Sequence, residues 1–246
     1  MARSGEQMTD YVTRFSVRQR IEHACIGLLF IVLAVTGLTQ EFFPMRWAEW
    51  TILTMGGIDR VRWVHRGAGI LFTVLVVFHL GAGMWQAVSR LSRPAIIPTR
   101  KDFLDAIMMV RYYLRLSDQQ PRFGRFDYRQ KWEYWGMVLG SVVMIVTGFM
   151  LYFPVLTARF LPGEVIPAAL IAHGREGLLA FLVIITWHLF NAHLSPEAFP
   201  FDPSIFTGKI SRERMEDEHP LEYEQMLVGG GESPGEPTSG ETADQG

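Results

Sequence analysis

The chain has 246 residues, of which 49% are hydrophobic and 20% charged, with a formal net charge of −2. That balance argues against an ordinary soluble enzyme and against a nucleic-acid partner. A single cysteine, Cys25, excludes a disulfide framework, a thiolate-held iron–sulfur cluster and a covalent CxxCH haem site, which need at least two sulfurs each, so any metal chemistry must rest on histidine or carboxylate.

Residues 1–20 form a polar N-terminal segment with Arg3, Arg14, Arg18 and Arg20. Four apolar stretches follow, at residues 21–38, 64–88, 135–153 and 168–192. Each is long enough to cross about 30 Å of hydrocarbon as a helix, which takes roughly 20 residues. The first has no small-residue cleavage site and is expected to remain in the mature protein. The segment joining the second and third spans carries Arg90, Arg93, Arg100, Lys101, Arg111, Arg115, Arg122, Arg125, Arg129 and Lys131. The opposite loops are poorer, with Arg46, Arg60 and Arg62 in one and Arg159 in the other. The positive-inside rule therefore predicts an all-α integral membrane protein, a four-transmembrane-helix bundle with both termini cytoplasmic. Residues 102–116 place Phe103, Leu104, Ile107, Met108, Val110 and Leu114 near one helical face, as expected for an amphipathic segment lying in the lipid interface. Residues 195–246 read as a cytoplasmic tail, disordered in its Gly/Pro/Glu/Thr-rich end from about residue 229.

The end of the first span, residues 30–44 (FIVLAVTGLTQEFFP), is similar to the end of the third, residues 141–154 (SVVMIVTGFMLYFP). A histidine opens the following span in each half, His65 and His173. The chain thus reads as two related helical hairpins.

Six of the seven histidines, His23, His65, His79, His173, His188 and His193, fall in or at the ends of spans. One such histidine can simply hydrogen-bond a carbonyl; a patterned set in lipid points to function. His65 and His79 are 14 residues apart, which leaves them about 40° apart in azimuth and ~21 Å apart in depth. His173 and His188 are 15 apart, about 60° and ~22 Å. Two levels of histidine suit two non-covalent b-type haems stacked across the bilayer, each gripped by imidazoles from facing helices. The outer pair is His65 with His173. The inner level is open among His23, His79 and His188, and the repeat makes His79 the counterpart of His188. Arg66 and Arg175 at the outer level, with Arg18 and Arg20 at the inner, are candidate partners for haem propionates. Gly67, Gly69, Gly81, Gly174 and Gly177 are candidate points of close porphyrin approach. His193 reads as structural, and His219, in the tail, as ordinary.

Arg20-Ile21-Glu22-His23 with Thr36-Gly37 resembles the opening R-x-x-H…TG motif of the bacterial di-haem cytochrome b family that includes the formate dehydrogenase gamma subunit and the nickel–iron hydrogenase b-type subunit. His65-Arg66-Gly67 and Val146-Thr147-Gly148-Phe149 are similar to the hydrogenase-type members, and residues 125–131 (RFDYRQK) to a segment of the formate dehydrogenase subunit. The resemblance implies that His65 and His173 hold the periplasmic haem, that His23 and His188 hold the cytoplasmic one, and that a quinone site lies in the region of Asp127, Gln130 and Lys131. This chain departs from the family pattern in the additional His79, in the extra residue between His173 and His188, and in Asp127 and Arg129, where the family has Asn and Gly.

The expected function is electron transfer across a bacterial inner membrane between a periplasmic redox partner, an iron–sulfur or multihaem cytochrome c subunit, and a quinone, menaquinone or ubiquinone. The chain has no dinucleotide fingerprint or substrate-converting motif, so substrate chemistry is expected on a catalytic subunit of a larger complex. Two rivals are a haem-free proton-relay transporter, which predicts a colourless protein, and a membrane anchor, whose histidines are replaceable.

Overall fold

The computed structural model describes residues 11–89, 94–195 and 198–228. Arg3, Arg90, Arg93 and the segment from residue 229 lie outside the described residues. Two compact units are present. One comprises the described parts of Glu22–Pro98 and Arg129–Asp202, the other those of Met1–Ile21, Thr99–Tyr128 and Pro203–Gly246.

The first unit is built from helices that are apolar on nearly every side. Helix α1 (Val17–Glu41) enters it at Glu22, α2 (Arg46–Thr54) is short, and α3 (Ile58–Ser89) is the longest. After α4 (Arg100–Tyr113), which belongs to the other unit, the pattern repeats: α5 (Tyr128–Tyr152) is long, α6 (Pro154–Phe160) short, and α7 (Val165–Val183) long. Two π-helical turns, Ile184–His188 and Phe190–Leu194, continue α7. Each span starts three to seven residues before its predicted limit; the third ends one residue short of it, at Tyr152.

The four long helices, Val17–Glu41, Ile58–Ser89, Tyr128–Tyr152 and Val165–Leu194, have mean hydropathies of 2.1, 1.9, 1.8 and 1.7, yet at most 11% of each apolar window is buried within the protein. Leu28, Ile31, Leu71, Val74, Leu139 and Leu179 all project outward. Such surface is stable only against hydrocarbon. The buried positions are small or polar, among them Thr36, Ala68, Thr147 and Ala169, as expected where membrane helices approach closely.

The second unit departs from the all-helical expectation. Strand β1 (Tyr11–Thr13) pairs antiparallel with β2 (Lys209–Ser211), Val12 opposite Ile210. Three-residue strands carry too little alternation to register in a sequence pattern. Helices α8 (Ser204–Thr207), α9 (Arg212–Glu218) and α10 (Pro220–Val228) complete the tail, and Met215 packs on Val12 and Ile210 with Tyr223 and Met226 at the edge. Helix α4 opens on a box in which the Thr99 amide and hydroxyl both donate to Asp102 Oδ2, at 2.6 and 2.7 Å. Its buried side holds Asp102, Asp105 and Met109, and Phe103, Leu104, Ile107, Val110 and Leu114 are exposed.

At the heart of this unit Arg14, 3% exposed, pairs with Glu222, whose other oxygen accepts from Arg125 Nη1 at 2.7 Å. His219 donates from Nδ1 to the Gly124 carbonyl at 2.8 Å, which leaves Nε2, 3.1 Å from Arg14 Nη2, as an acceptor. Burial, reinforced by Arg14, pushes the His219 pKa down to about 3. Burial also lowers the Arg14 pKa, against the pull of Glu222. So His219, ordinary by sequence, is a keystone of the tail. Because its folded pKa lies below the unfolded value, its contribution to stability is complete above about pH 6.5. Below that it is lost at about 1.4 kcal/mol per pH unit, down to about pH 3. Hydrogen exchange of residues 203–228 is expected to accelerate steadily from pH 6.5 to pH 4 after correction for intrinsic rates. Constant protection would contradict the assignment.

Candidate functional site

The paired motifs converge on two histidines. On α1, Thr36 Oγ1 spends its one proton on the Val32 carbonyl, 2.7 Å away, and lies 2.9 Å from His65 Nδ1. On α5, Thr147 Oγ1 does the same toward Val143 at 2.6 Å and lies 2.9 Å from His173 Nδ1. Each threonine can therefore only accept from its imidazole. That fixes Nδ1–H as the donor and leaves Nε2 with a bare lone pair, the form in which imidazole binds a metal. The glycines that follow make the room: a Cβ at Gly37 would lie 3.1 Å from His65 Cε1, and one at Gly148 would lie 3.2 Å from His173 Cε1. The repeated Val-Thr-Gly is thus the cradle of His65 and His173. Thr36, Gly37, Thr147 and Gly148, which stand out in the sequence as a repeat and as family-like motifs without a stated role, contact the two histidines.

The two rings face each other, centroids 6.2 Å apart at 82°. An imidazole nitrogen sits about 2 Å from a bound metal and about 1 Å from its own ring centre, so two imidazoles on one ion place their centres about 6 Å apart. His65 and His173 meet that requirement.

At the other level His23 faces His188, centroids 6.1 Å apart at 33°. His188 Nδ1 donates to the Glu133 carboxylate, which again leaves Nε2 bare. The repeat extends here. Glu22 and Glu133 each stand 14 residues before the motif threonine, and His23 and Tyr134 follow them. Within the first half Glu22 Oε2 holds His79 Nδ1 at 2.8 Å, as Glu133 holds His188. The extra residue between His173 and His188 is taken up by the π-helical turn Ile184–His188, which absorbs one residue without losing the helix. His79 does not face a second histidine: its Nε2 lies 3.1 Å from the Tyr134 hydroxyl. The structure therefore brings His23, and not His79, to His188. His193 stacks on Phe201, centroids 4.4 Å apart.

The candidate propionate partners have company of their own. Arg66 lies over the Tyr152 ring at 5.3 Å, and Arg175 is 3.7 Å from Glu41. Arg18 is exposed and Arg20 half-buried, both on the first turns of α1 in the second unit. Of the glycines expected near a porphyrin, Gly67 and Gly81 border open space, whereas a Cβ at Gly174 would meet Glu41 Oε2 at 2.6 Å. Asp127 and Lys131 are buried at 6% and 8%, unlike residues of a solvated loop, and Gln130 is exposed.

The family described as prokaryotic cytochrome b561 matches residues 14–197. The chain is 22% identical over 215 residues to the nitrate-inducible formate dehydrogenase cytochrome b556(Fdn) subunit of Escherichia coli (strain K12), covering 87% of this chain and 91% of that protein. It is 24% identical over 187 residues to the formate dehydrogenase cytochrome b556(fdo) subunit of the same strain, covering 74% and 79%. The Fdn subunit of Shigella flexneri matches at 22% over 215 residues. A cytochrome b implies haem b, and the two facing histidine pairs are a donor set that suits it. With four apolar helices exposed as lipid requires, the chain is a multi-pass inner-membrane protein, an electron-transfer subunit of a respiratory oxidoreductase, and it belongs to the prokaryotic cytochrome b561 family.

Proposed function

We propose that this chain carries electrons across the inner membrane between a periplasmic redox partner and the quinone pool. Its two histidine pairs, His65 with His173 and His23 with His188, would hold two b-type haems. The observation that carries the reading is the spacing of those pairs, 6.2 and 6.1 Å between ring centres, the first joining α3 to α7 and the second joining α1 to the π-helical continuation of α7. When bound, haem b supplies reversible one-electron chemistry. The protein's part is to fix the rings: Thr36, Thr147 and Glu133 each take an Nδ1 proton and so set the tautomer that offers Nε2.

The charge asymmetry of the loops supports cytoplasmic termini, which puts His65 and His173 on the periplasmic side. The exposed apolar face of α4, flanked by Arg100, Lys101, Arg111 and Arg115, then lies against the cytoplasmic leaflet. Asp127, Gln130 and Lys131, which precede or open α5, would contact the quinone, a reading supported by the likeness of residues 125–131 to a segment of the formate dehydrogenase subunit. The relatives named above are formate dehydrogenase subunits, which supports a catalytic partner that performs the substrate chemistry. An iron–sulfur or multihaem cytochrome c subunit would link that partner to the outer pair. Electrons moving inward to a quinone that takes protons from the cytoplasm would make the step electrogenic, about 2.3 kcal/mol per charge per 100 mV.

A dithionite-reduced minus oxidised visible spectrum of the purified protein, with a pyridine haemochrome assay, tests the reading. Two haems b per chain are expected. One haem, or none in a folded protein, would overturn it.

A further inference from the structure

His79 is held as a metal ligand is held, yet it faces no second ligand. In the repeat it is the counterpart of His188, as Glu22 is of Glu133, but where the first half has His23 the second has Tyr134. One framework therefore yields two different sites, carboxylate–imidazole–imidazole and carboxylate–imidazole–phenol. In the second, Glu22 Oε2 is 2.8 Å from His79 Nδ1 and the Tyr134 hydroxyl is 3.1 Å from Nε2. The distance is that of a hydrogen bond between imidazole and phenol.

A carboxylate–imidazole–phenol chain moves a proton. Glu22 only accepts, so it locks Nδ1–H and leaves Nε2 to exchange a proton with the phenol, as an oriented general acid or base does. The Glu22 end of the chain is closed, its side chain 8% exposed, whereas the His79 side chain is 32% exposed and Tyr134, at the other end, is half-buried. Tyr134 is fixed edge-on against Trp135, centroids 5.7 Å apart, and the Trp135 ring N–H is tied to the Ile96 carbonyl at 3.1 Å.

We propose that His79 and Tyr134 deliver a proton to a quinone, with Glu22 as their positioning residue. The proposal rests on the quinone-linked reading above. Reduction of a quinone to its quinol consumes two electrons, supplied by the electron flow through this chain, and two protons, one on each oxygen. At one oxygen the Tyr134 O–H bond breaks as the quinone O–H bond forms. The Nε2 proton of the His79 imidazolium then moves to the phenolate oxygen. The imidazole is left neutral, its Nδ1–H still on Glu22, and is reprotonated from water. The second oxygen takes its proton from water. Quinol oxidation runs the same steps in reverse.

The test uses the full-length haem-loaded protein, reduced and then mixed anaerobically with menadione or with ferricyanide, an oxidant that needs no proton. Haem reoxidation by menadione is expected to slow 10- to 100-fold in both His79→Gln and Tyr134→Phe, in the range of a lost general acid. Ferricyanide rates and haem content should match the unmodified protein. Tyr134→Phe removes a single oxygen and keeps the ring packed on Trp135, so it separates proton delivery from folding. Unchanged menadione rates in both variants, or loss of haem from either, would overturn the proposal. If menadione fails to reoxidise the unmodified protein while ferricyanide succeeds, the quinone reading itself falls and takes the proposal with it.

Discussion

Replacing His65 with alanine is expected to leave a folded protein with one haem b in place of two, and to abolish reduction by any periplasmic donor. His173→Ala should do the same, because each ring is half of a single facing pair. Fold retention follows from the packing: the spans are held by small buried residues such as Ala68 and Ala169, and neither histidine is among the fully buried core. The sharper version leaves both histidines in place. Gly37→Val would put a Cβ 3.1 Å from His65 Cε1 and add two methyls beyond it, which the ring can escape only by turning away from His173. Gly148→Val should act equally on His173. Thr36→Val keeps the shape and removes only the acceptor, with an expected 10- to 100-fold loss of outer-haem affinity, typical of a lost partner behind a ligand. Haemochrome counts on these variants beside the unmodified protein measure all of this. Two haems in Gly37→Val would show that the Val-Thr-Gly repeat is a helix-packing motif only.

The spans and their histidines were legible because lipid imposes a strong and simple rule: apolar length for the helix, and a high cost for every polar group within it. The outer pair was legible for the same reason, as was the Val-Thr-Gly repeat. What the repeat did was not, since a threonine that closes its own helix carbonyl and a threonine that orients a histidine look alike in sequence. The inner level hid in another way. In the structure His188 faces His23 while His79 meets Tyr134, through pairings with Glu22 and Glu133 that cross between helices and a π-helical turn that helix periodicity does not anticipate. The unit that pairs the N-terminal strand with the tail was least legible. Val12 and Ile210 sit almost two hundred residues apart in strands of three, and His219 gained its role only through the distant Arg14 and Gly124.

The inner pair makes the second large prediction. His188→Ala is expected to remove the inner haem and stop quinone-linked turnover, whereas His79→Ala should keep both haems, although the repeat gives the two histidines equivalent places. The difference lies in what stands opposite, His23 for one and Tyr134 for the other. Glu133→Gln probes the same site more finely. Glu133 is a nearly buried carboxylate bonded to His188 Nδ1, and its charge enriches the imidazole in electrons, which favours ferric over ferrous iron. The amide keeps a hydrogen-bond acceptor but not the charge, so the inner haem should stay bound and its midpoint potential should rise. At about 59 mV for each 1.4 kcal/mol in a one-electron couple, loss of an interaction of about that size gives a rise of roughly 60 mV. The outer haem, ordered by the neutral Thr36 and Thr147, should hold its potential. Redox titration of the two haems reads both numbers at once. A shift confined to the outer haem would place Glu133 at the wrong centre, and with it the pairing of His188 with His23.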